Sequence, residues 1–169
     1  MFDDIDFDDD YGVSVSDKLI KWKDLAICFG KGLWVYLDWV GLNKPLKWAQ
    51  DYTKLDDDKI PDTNGYDNTQ FILNKYKKSI KGTIWGKVQN CKYNVYIPDK
   101  NQLKRIYKVN KRYKLMSFST DPYKSYYWSS SYATNYWYCY YAFRINFVDG
   151  CVDNFSKVNE YLSVALLHF

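Results

Sequence analysis

The side chains that could attack a chemical bond lie near the end of the chain. Ser129, Ser130 and Cys139 are potential nucleophiles. A serine or cysteine nucleophile needs a neighbouring base to take its proton, but the only histidine is the penultimate residue. Asp149 and Asp153 could do acid–base work as a carboxylate pair, although Asp149 is explained better as part of a turn. We therefore predict that the chain is not an enzyme.

Residues that could hold a metal ion are few and poorly spaced. The four cysteines contain no C-x-x-C pair, which zinc and redox sites usually use. Asp6, Asp8 and Asp10 alternate as calcium ligands can, but the calcium loop needs a glycine after the third ligand and a distal glutamate. Tyr11 follows Asp10, and no glutamate lies nearby. We predict no metal site and no cofactor.

The length of 169 residues fits one domain. We expect residues 1–12, which are acidic, to be frayed and residues 13–169 to form the domain. The first residues lack the basic and apolar regions of a secretory signal, and no window is long and apolar enough to span a membrane. We therefore expect synthesis in the cytoplasm, no membrane insertion, and association with a virion or display at a surface by another route.

Residues 71–114 carry thirteen Lys or Arg side chains and a single acid, Asp99. Such a stretch can bind nucleic acid or another anionic surface, or it can be the solvated outer faces of helices and edge strands. Because no nucleic-acid motif is present, we favour the solvated faces and do not expect nucleic acid as a partner.

The first half of the chain contains signals for a hairpin and a helix. Apolar runs at 25–29 and 33–40 flank a Gly-Lys-Gly turn and predict two paired strands. Asn43 is a good helix cap and Pro45 suits the first helical turn, so a helix should follow them.

Two more helices are predicted further along. One begins near Asn68, after which Gly82 and Gly86 should break the chain. Another begins after Asp99, which forms a capping box with Gln102. The chain has 19 Asp and one Glu, and Asp favours caps and turns over helix interiors. Together these signals predict a loop-rich α+β domain.

The composition changes at the start of the last third. Residues 125–143 contain no charged side chain, and ten of them are aromatic. Rigid tyrosines mixed with small Ser and Asn are typical of antibody combining loops, although such rings can also be core. We assign Trp128 and Trp137 to the core and expect the tyrosines from Tyr132 onward to be exposed.

A hairpin is predicted next. Asp149 and Gly150 are typical of a two-residue turn, which would pair Phe147 with Val152. Phe143, Ile145, Phe147 and Val152 would then share the core face. The other face would mix chemical types: Arg144, Asn146, Val148, Cys151, Asp153 and Phe155. Residues 162–167 are apolar in both registers, which predicts one central strand covered on both sides.

Several of these segments resemble one family in the same order. Residues 127–131 (YWSSS) resemble the tryptophan–serine signature of the Legionella collagen-like protein C-terminal domain family. The segment from Ala142 to Val152 is similar to the strand–turn–strand that follows it there. Tyr96-Ile97-Pro98, Gln102-Leu103 and Ile106-Tyr107 resemble the family's W-x-L-P-x-x-x-E-L-x-x-L-Y segment, with Tyr96 next to the position of the Trp and Gln102 in place of the Glu.

The resemblance implies a C-type-lectin-like fold: a mixed β-sheet with flanking helices and a C-terminal region that presents the ligand site. It also implies a non-catalytic adhesion or receptor-recognition domain whose partner is a protein or glycan on another cell or virion surface. Relatives in gut bacteria and phages include variable proteins of diversity-generating retroelements. The candidate ligand-binding residues are Tyr132, Asn135, Tyr136, Tyr138, Tyr140, Tyr141, Arg144, Asn146, Val148, Cys151, Asp153, Phe155 and Asn159.

A second hypothesis stays open at this point. The chain could be a structural virion component, such as a fibre tip or decoration protein, without a diversified site. A homo-oligomer, in particular a trimer, would favour that hypothesis.

Overall fold

The computed structural model describes the chain in these ranges: 21–22, 24–41, 44–50, 63–75, 80–119, 121, 124–132 and 141–169. Over these residues the protein is mixed α+β, with four helices and two five-stranded sheets. The α+β class predicted from the sequence is therefore confirmed.

The helices and strands follow one another in this order: β1 (Lys21–Trp22), β2 (Ala26–Cys28), β3 (Trp34–Tyr36), α1 (Leu37–Gly41), β4 (Leu46–Lys47), α2 (Gly65–Lys75), α3 (Ile84–Gln89), β5 (Val95–Tyr96), α4 (Lys100–Tyr113), β6 (Tyr126–Tyr132), β7 (Tyr141–Asn146), β8 (Val152–Ser156), β9 (Glu160–Ser163) and β10 (Leu166–Leu167).

The first sheet has the strand order β1-β2-β3-β10-β5, and all its neighbours are antiparallel. The hairpin predicted around Gly30 is confirmed, since Cys28 pairs with Trp34 across the turn. The second sheet has the order β4-β9-β6-β7-β8 and is mixed, because β6 and β9 are parallel while the other pairs are antiparallel. In this sheet β6 is central and β8 lies at an edge.

Aromatic side chains supply much of the core that joins the two sheets. The rings of Trp48 and Trp85 meet edge to face with centroids 5.0 Å apart. Each indole N–H donates to a main-chain carbonyl, Trp85 to Trp48 and Trp48 to Ser129, both at 2.8 Å. Indoles can be buried at little cost only when the N–H finds an acceptor, so these bonds tie β6 and α3 to Trp48, which follows β4.

Helix α4 confirms the capping box that the sequence predicts. The Asp99 side chain accepts from the Gln102 N–H at 2.7 Å, and the Gln102 side chain accepts from the Asp99 N–H at 3.0 Å. Gln102 also accepts from the Gly65 N–H at 2.9 Å, so the cap of α4 fixes the start of α2. The helix predicted near Asn68 is likewise confirmed as α2.

Two predictions for the first half of the chain are wrong. The strand predicted over 33–40 ends at Tyr36, and α1 begins at the next residue. The helix predicted after Asn43 and Pro45 does not begin there, because Leu46 is in β4 and pairs with Tyr161. A pairing partner 115 residues away in sequence overrides the local cap signal. The rest of that predicted helix, at 51–62, lies outside the described residues.

Gly86 does not break the chain as predicted but lies inside α3. A Cβ atom added there would lie 2.5 Å from the carbonyl oxygen of Ile80. Thr83 caps the helix, and its side chain accepts from the Gly86 N–H. The glycine is therefore explained by a close approach of main chain, and it is compatible with a helix despite its weak propensity.

The hairpin near Gly150 is confirmed, but its turn is longer than predicted. Ile145 pairs with Val152, and the Asn146 N–H donates to the Cys151 carbonyl at 3.0 Å, which leaves four residues in the turn. A shift of two residues keeps the alternation of faces. However, Val152 is 36% exposed and does not join the core as predicted, because β8 is an edge strand.

The single last strand predicted over 162–167 is two strands. β9 lies between β4 and β6 in the second sheet, and β10 lies between β3 and β5 in the first. All six residues are buried, so the prediction of a central, covered segment is right. The chain crosses from one sheet to the other at Val164 and Ala165, which explains the apolar residues in both registers.

Candidate ligand-binding surface

The serines of the YWSSS segment are buried and hold β6 in place. Ser129 donates its hydroxyl to the Phe143 carbonyl at 2.8 Å. The Ser130 N–H donates to the Pro98 carbonyl at 2.8 Å, and the Ser131 hydroxyl accepts from the Lys100 N–H at 3.0 Å. Small side chains let β6 approach the start of α4 closely. Ser129 and Ser130, considered above as nucleophiles, have no access to solvent.

The prediction that Tyr132 belongs to the exposed ligand-binding set is wrong. Its side chain is only 2% exposed, although we expected it to face solvent. The ammonium of Lys157 lies 4.9 Å from its ring centroid and 4.7 Å from that of Trp48. A cation between two rings is stabilised by the ring quadrupoles. Tyr132 is buried because it belongs to the central strand of its sheet, a position that local composition does not reveal.

Tyr127, in the same strand, is also buried. Its hydroxyl accepts from the Ser119 N–H at 3.2 Å. Burial raises the pKa of the Tyr127 phenol above its usual value, and the Ser119 bond partly offsets this. The predicted site residues Asn135, Tyr136, Tyr138 and Tyr140 lie outside the described residues.

Arg144 is the centre of a group that we call the Arg144 cluster. Its guanidinium binds Asp153 through two bonds, of 2.8 and 3.1 Å. Its carbon lies 3.7 Å from the ring centroid of Tyr126, 4.4 Å from that of Phe155 and 4.7 Å from that of Tyr161. Arg144 is almost fully buried by these contacts. It therefore positions Asp153 and Phe155 and is not itself displayed to a ligand.

Burial also raises the pKa of the Tyr161 phenol, an effect that the nearby Arg144 charge partly offsets. Asn146, another predicted site residue, is buried as well. Its side-chain oxygen accepts from the Ser125 hydroxyl at 2.7 Å and from the Val148 N–H at 2.9 Å. Asn146 therefore shapes the turn and offers little surface to a partner.

The turn is held by two further contacts. Asp149 accepts from the Cys151 N–H at 2.9 Å. The Asp149 carboxylate also raises the pKa of the Cys151 thiol, chiefly by a hydrogen bond to it. Gly150 has φ of 78°, and a Cβ atom there would lie 2.9 Å from the ring of Tyr107. The turn thus rests directly on helix α4.

Several side chains of this hairpin remain exposed. Val148 is 47% exposed and Phe155 is 41% exposed, in agreement with their predicted display, and Val152 joins them. Sequence reasoning missed Val152 because alternation alone cannot tell an edge strand from a central one. We call these exposed residues the hairpin surface: Val148, Cys151, Val152, Asp153 and Phe155.

Two further predicted site residues lie beside it. Tyr141 is half-buried, and its ring stacks on Phe155 with centroids 6.5 Å apart. Asn159 is half-buried in the connection between β8 and β9, where its N–H donates to the Ser156 carbonyl at 3.1 Å. The predicted residues that the structure exposes are therefore Val148, Cys151, Asp153 and Phe155 of the β7–β8 hairpin.

Among the described residues, no group of three or more His, Cys, Asp or Glu side chains is placed to hold a metal ion. None of the described helices combines the length and the apolar character needed to cross a membrane. The chain matches no protein-family model, no curated protein sequence and no solved structure.

Proposed function

We propose that the chain is a non-catalytic ligand-binding domain that presents the hairpin surface to a protein or glycan on another cell or virion surface. One observation carries this proposal. Of the four large hydrophobic side chains that are exposed in the described part of the chain, three are Val148, Val152 and Phe155 of this one hairpin. Exposed apolar side chains concentrated on one structural element are typical of interaction sites. Alternation along β8 places Phe155 and Val152 on opposite faces of this element.

The rigidity of the hairpin supports the proposal. The Arg144 cluster fixes β8 from one side, and Gly150 rests on Tyr107 at the turn. A surface that is already ordered loses less conformational entropy when it binds. The buried, hydrogen-bonded state of Ser129 and Ser130 also favours binding over catalysis as the function.

We extend the proposal to a C-type-lectin-like fold. The features that the resemblance implies are a mixed sheet, flanking helices and a ligand-presenting region near the C-terminus. The second sheet is mixed, α2 contacts β6, and α4 contacts both β6 and β7. The hairpin surface lies in the last quarter of the chain. These features favour that fold over an unrelated α+β arrangement.

The proposal includes diversification of the hairpin surface, which sequencing can test. The gene should be sequenced from several isolates of its source. We expect amino-acid changes to concentrate at exposed positions such as Val148, Cys151 and Phe155. The buried serines of β6 and Trp128 should stay constant, since they hold the scaffold. An even spread of changes, or a constant hairpin, would refute diversification.

Binding itself can be tested on a panel of purified glycans and surface proteins with the full chain. For any panel member that binds, Phe155→Ser should weaken binding at least about tenfold, as truncation of a central aromatic contact does. Phe169→Ser is the matched control, because Phe169 is 52% exposed but lies beside the first sheet, where its ring meets that of Trp34 edge to face. Equal losses in the two variants would argue against the hairpin surface.

A further inference from the structure

Helix α4 exposes a line of lysines on the side away from the core. Lys104, Lys108 and Lys111 follow at i, i+4 and i+7, and the exposed Lys114 caps the helix. Residues 100–114 carry seven basic side chains and no acidic one. Like charges at this spacing repel one another and destabilise a helix. We call these four lysines the basic α4 face.

Within the described part of the chain, none of the four lysines takes part in a salt bridge. The face ends at a cavity of about 360 Å³ between the end of α4 and the β7–β8 turn. Lys111 and Lys114 lie at this cavity, while Met116, Phe118 and Phe147 supply apolar wall. A matching occupant would combine carboxylates with apolar side chains over a short length.

The N-terminal segment of the same chain has this composition. Residues 1–12 contain six aspartates and no basic side chain. Apolar side chains alternate with the aspartates: Phe2, Ile5, Phe7 and Tyr11. The sign of the charge and the presence of large apolar groups both complement the basic α4 face and its cavity.

The start of the described chain also lies close to this cavity. Lys21 pairs with Ile27, and since β1 and β2 are antiparallel, Lys21 is the end of β1 nearer to Phe29. The Phe29 carbonyl accepts from the Arg105 side chain at 3.3 Å, and the Phe29 ring lies 6.5 Å from that of Phe118 in the cavity wall. The residues between 12 and 21 can span up to about 30 Å when extended.

We propose that residues 1–12 dock on the basic α4 face and the adjoining cavity of the same chain. The aspartates would neutralise the lysines, and an aromatic side chain would fill the apolar wall. Because Val148 lines the cavity as well as belonging to the hairpin surface, docking would shield that end of the hairpin. This inference does not depend on what the hairpin surface binds.

Zero-length carbodiimide cross-linking of the full chain tests the proposal, because it joins carboxylates only to amines in contact. Peptides containing Asp3 to Asp10 should link to the four lysines at least about fivefold more than to exposed Lys44, Lys75 and Lys81. The excess should disappear in about 0.5 M salt, where screening shortens the range of exposed charges. Equal yields at all lysines would overturn the proposal.

A mixture of isotope-labelled and unlabelled protein identifies the source of the segment. We expect links within one chain only, whereas links between labelled and unlabelled peptides would assign the face to a second copy and overturn the proposal. Retardation of single-stranded DNA at low salt tests nucleic acid as the occupant. Docked aspartates would compete with DNA for the lysines, so replacing all six by asparagine should increase retardation. Equal retardation before and after the replacement would assign the face to nucleic acid instead.

A charge exchange provides the control. K108E/K111E leaves Lys104 and Lys114 as reporters, and their links to the aspartates should fall about fivefold. Adding D6K/D8K should restore links from the remaining aspartates. If K108E/K111E does not fold, the D6K/D8K change alone should reduce the links to Lys104 and Lys114, because it leaves α4 intact. Unchanged links in these variants would contradict the proposal.

Discussion

Strand β6 and the β7–β8 hairpin both carry aromatic side chains but have opposite roles. Tyr127, Trp128 and Tyr132 of β6 are buried, whereas Val152 and Phe155 of β8 are exposed. The difference follows from position, since β6 has β9 and β7 on its two sides and β8 has a neighbour on one side only. Composition therefore indicates which residues could take part in recognition, and the position of each strand in the sheet determines which of them are exposed to solvent.

The two buried cations of this region make the same point. Arg144 lies among three rings and binds Asp153, and Lys157 lies between Trp48 and Tyr132. A buried charge is costly unless it is compensated. Both cations therefore fix aromatic side chains in the scaffold, although the sequence suggested that Arg144 would contact a ligand.

The largest effect should come from Trp128→Ala in β6. The Trp128 side chain is fully buried, and its N–H donates to the Leu46 carbonyl at 3.0 Å. Loss of a buried aromatic side chain should lower the free energy of unfolding by about 3–5 kcal/mol. Phe155→Ala, on the same sheet, should cost much less. Urea denaturation of both variants measures the difference, and equal costs would erase the distinction between the strand and the hairpin.

A smaller effect is expected from Gly150→Ala in the hairpin turn. The left-handed conformation alone should cost about 1–2 kcal/mol, and the added Cβ would also displace the Tyr107 ring. Gly32→Ala is a matched control, because Gly32 also has a positive φ, of 73°, but a Cβ atom added there would have no atom within 4 Å. Thermal or urea unfolding should show a greater loss for Gly150→Ala. Similar losses would mean that the turn does not rest on α4 as described.

The smallest effect concerns the buried phenol of Tyr127. Tyr127→Phe should cost about 1 kcal/mol at pH 7, because the Ser119 N–H loses its acceptor. Burial raises the pKa of this phenol in the folded protein above 10.0. As the pH rises past 10, the Tyr127 phenol loses its proton in the unfolded chain before it does so in the folded protein. The free energy of unfolding of the wild type therefore falls. The gap between wild type and variant should therefore narrow above pH 10 in urea titrations; a constant gap would contradict the burial of Tyr127.

Local signals predicted the parts of the fold that depend on neighbours in sequence. The capping box of Asp99 and Gln102, the start of α2 and the turn near Gly30 all use contacts within a few residues. The hairpin at Gly150 was predicted for the same reason, although its length was not. The four-residue turn is set by Asn146 and by contact with Tyr107.

The errors occur where distant chain segments meet. Leu46 is in a strand because it pairs with Tyr161. Gly86 is an exception, since the carbonyl that requires a glycine there belongs to Ile80, six residues earlier. Tyr132 was expected in the site and lies in the core, while Val152 was expected in the core and lies on the hairpin surface. Both errors come from the order of strands in the sheet, which alternation within one strand does not encode.

The sequence alone determined the α+β class, the caps of α4, the existence of the C-terminal hairpin and the exposure of Val148 and Phe155. Those features depend on local hydrogen bonding and on side-chain alternation, which involve residues close together in the sequence. Only the tertiary structure decided that Arg144 and Asn146 support the surface from beneath and that Val152 belongs to it. That distinction depends on which strand forms the edge of the sheet, and an edge exists only once distant strands have paired.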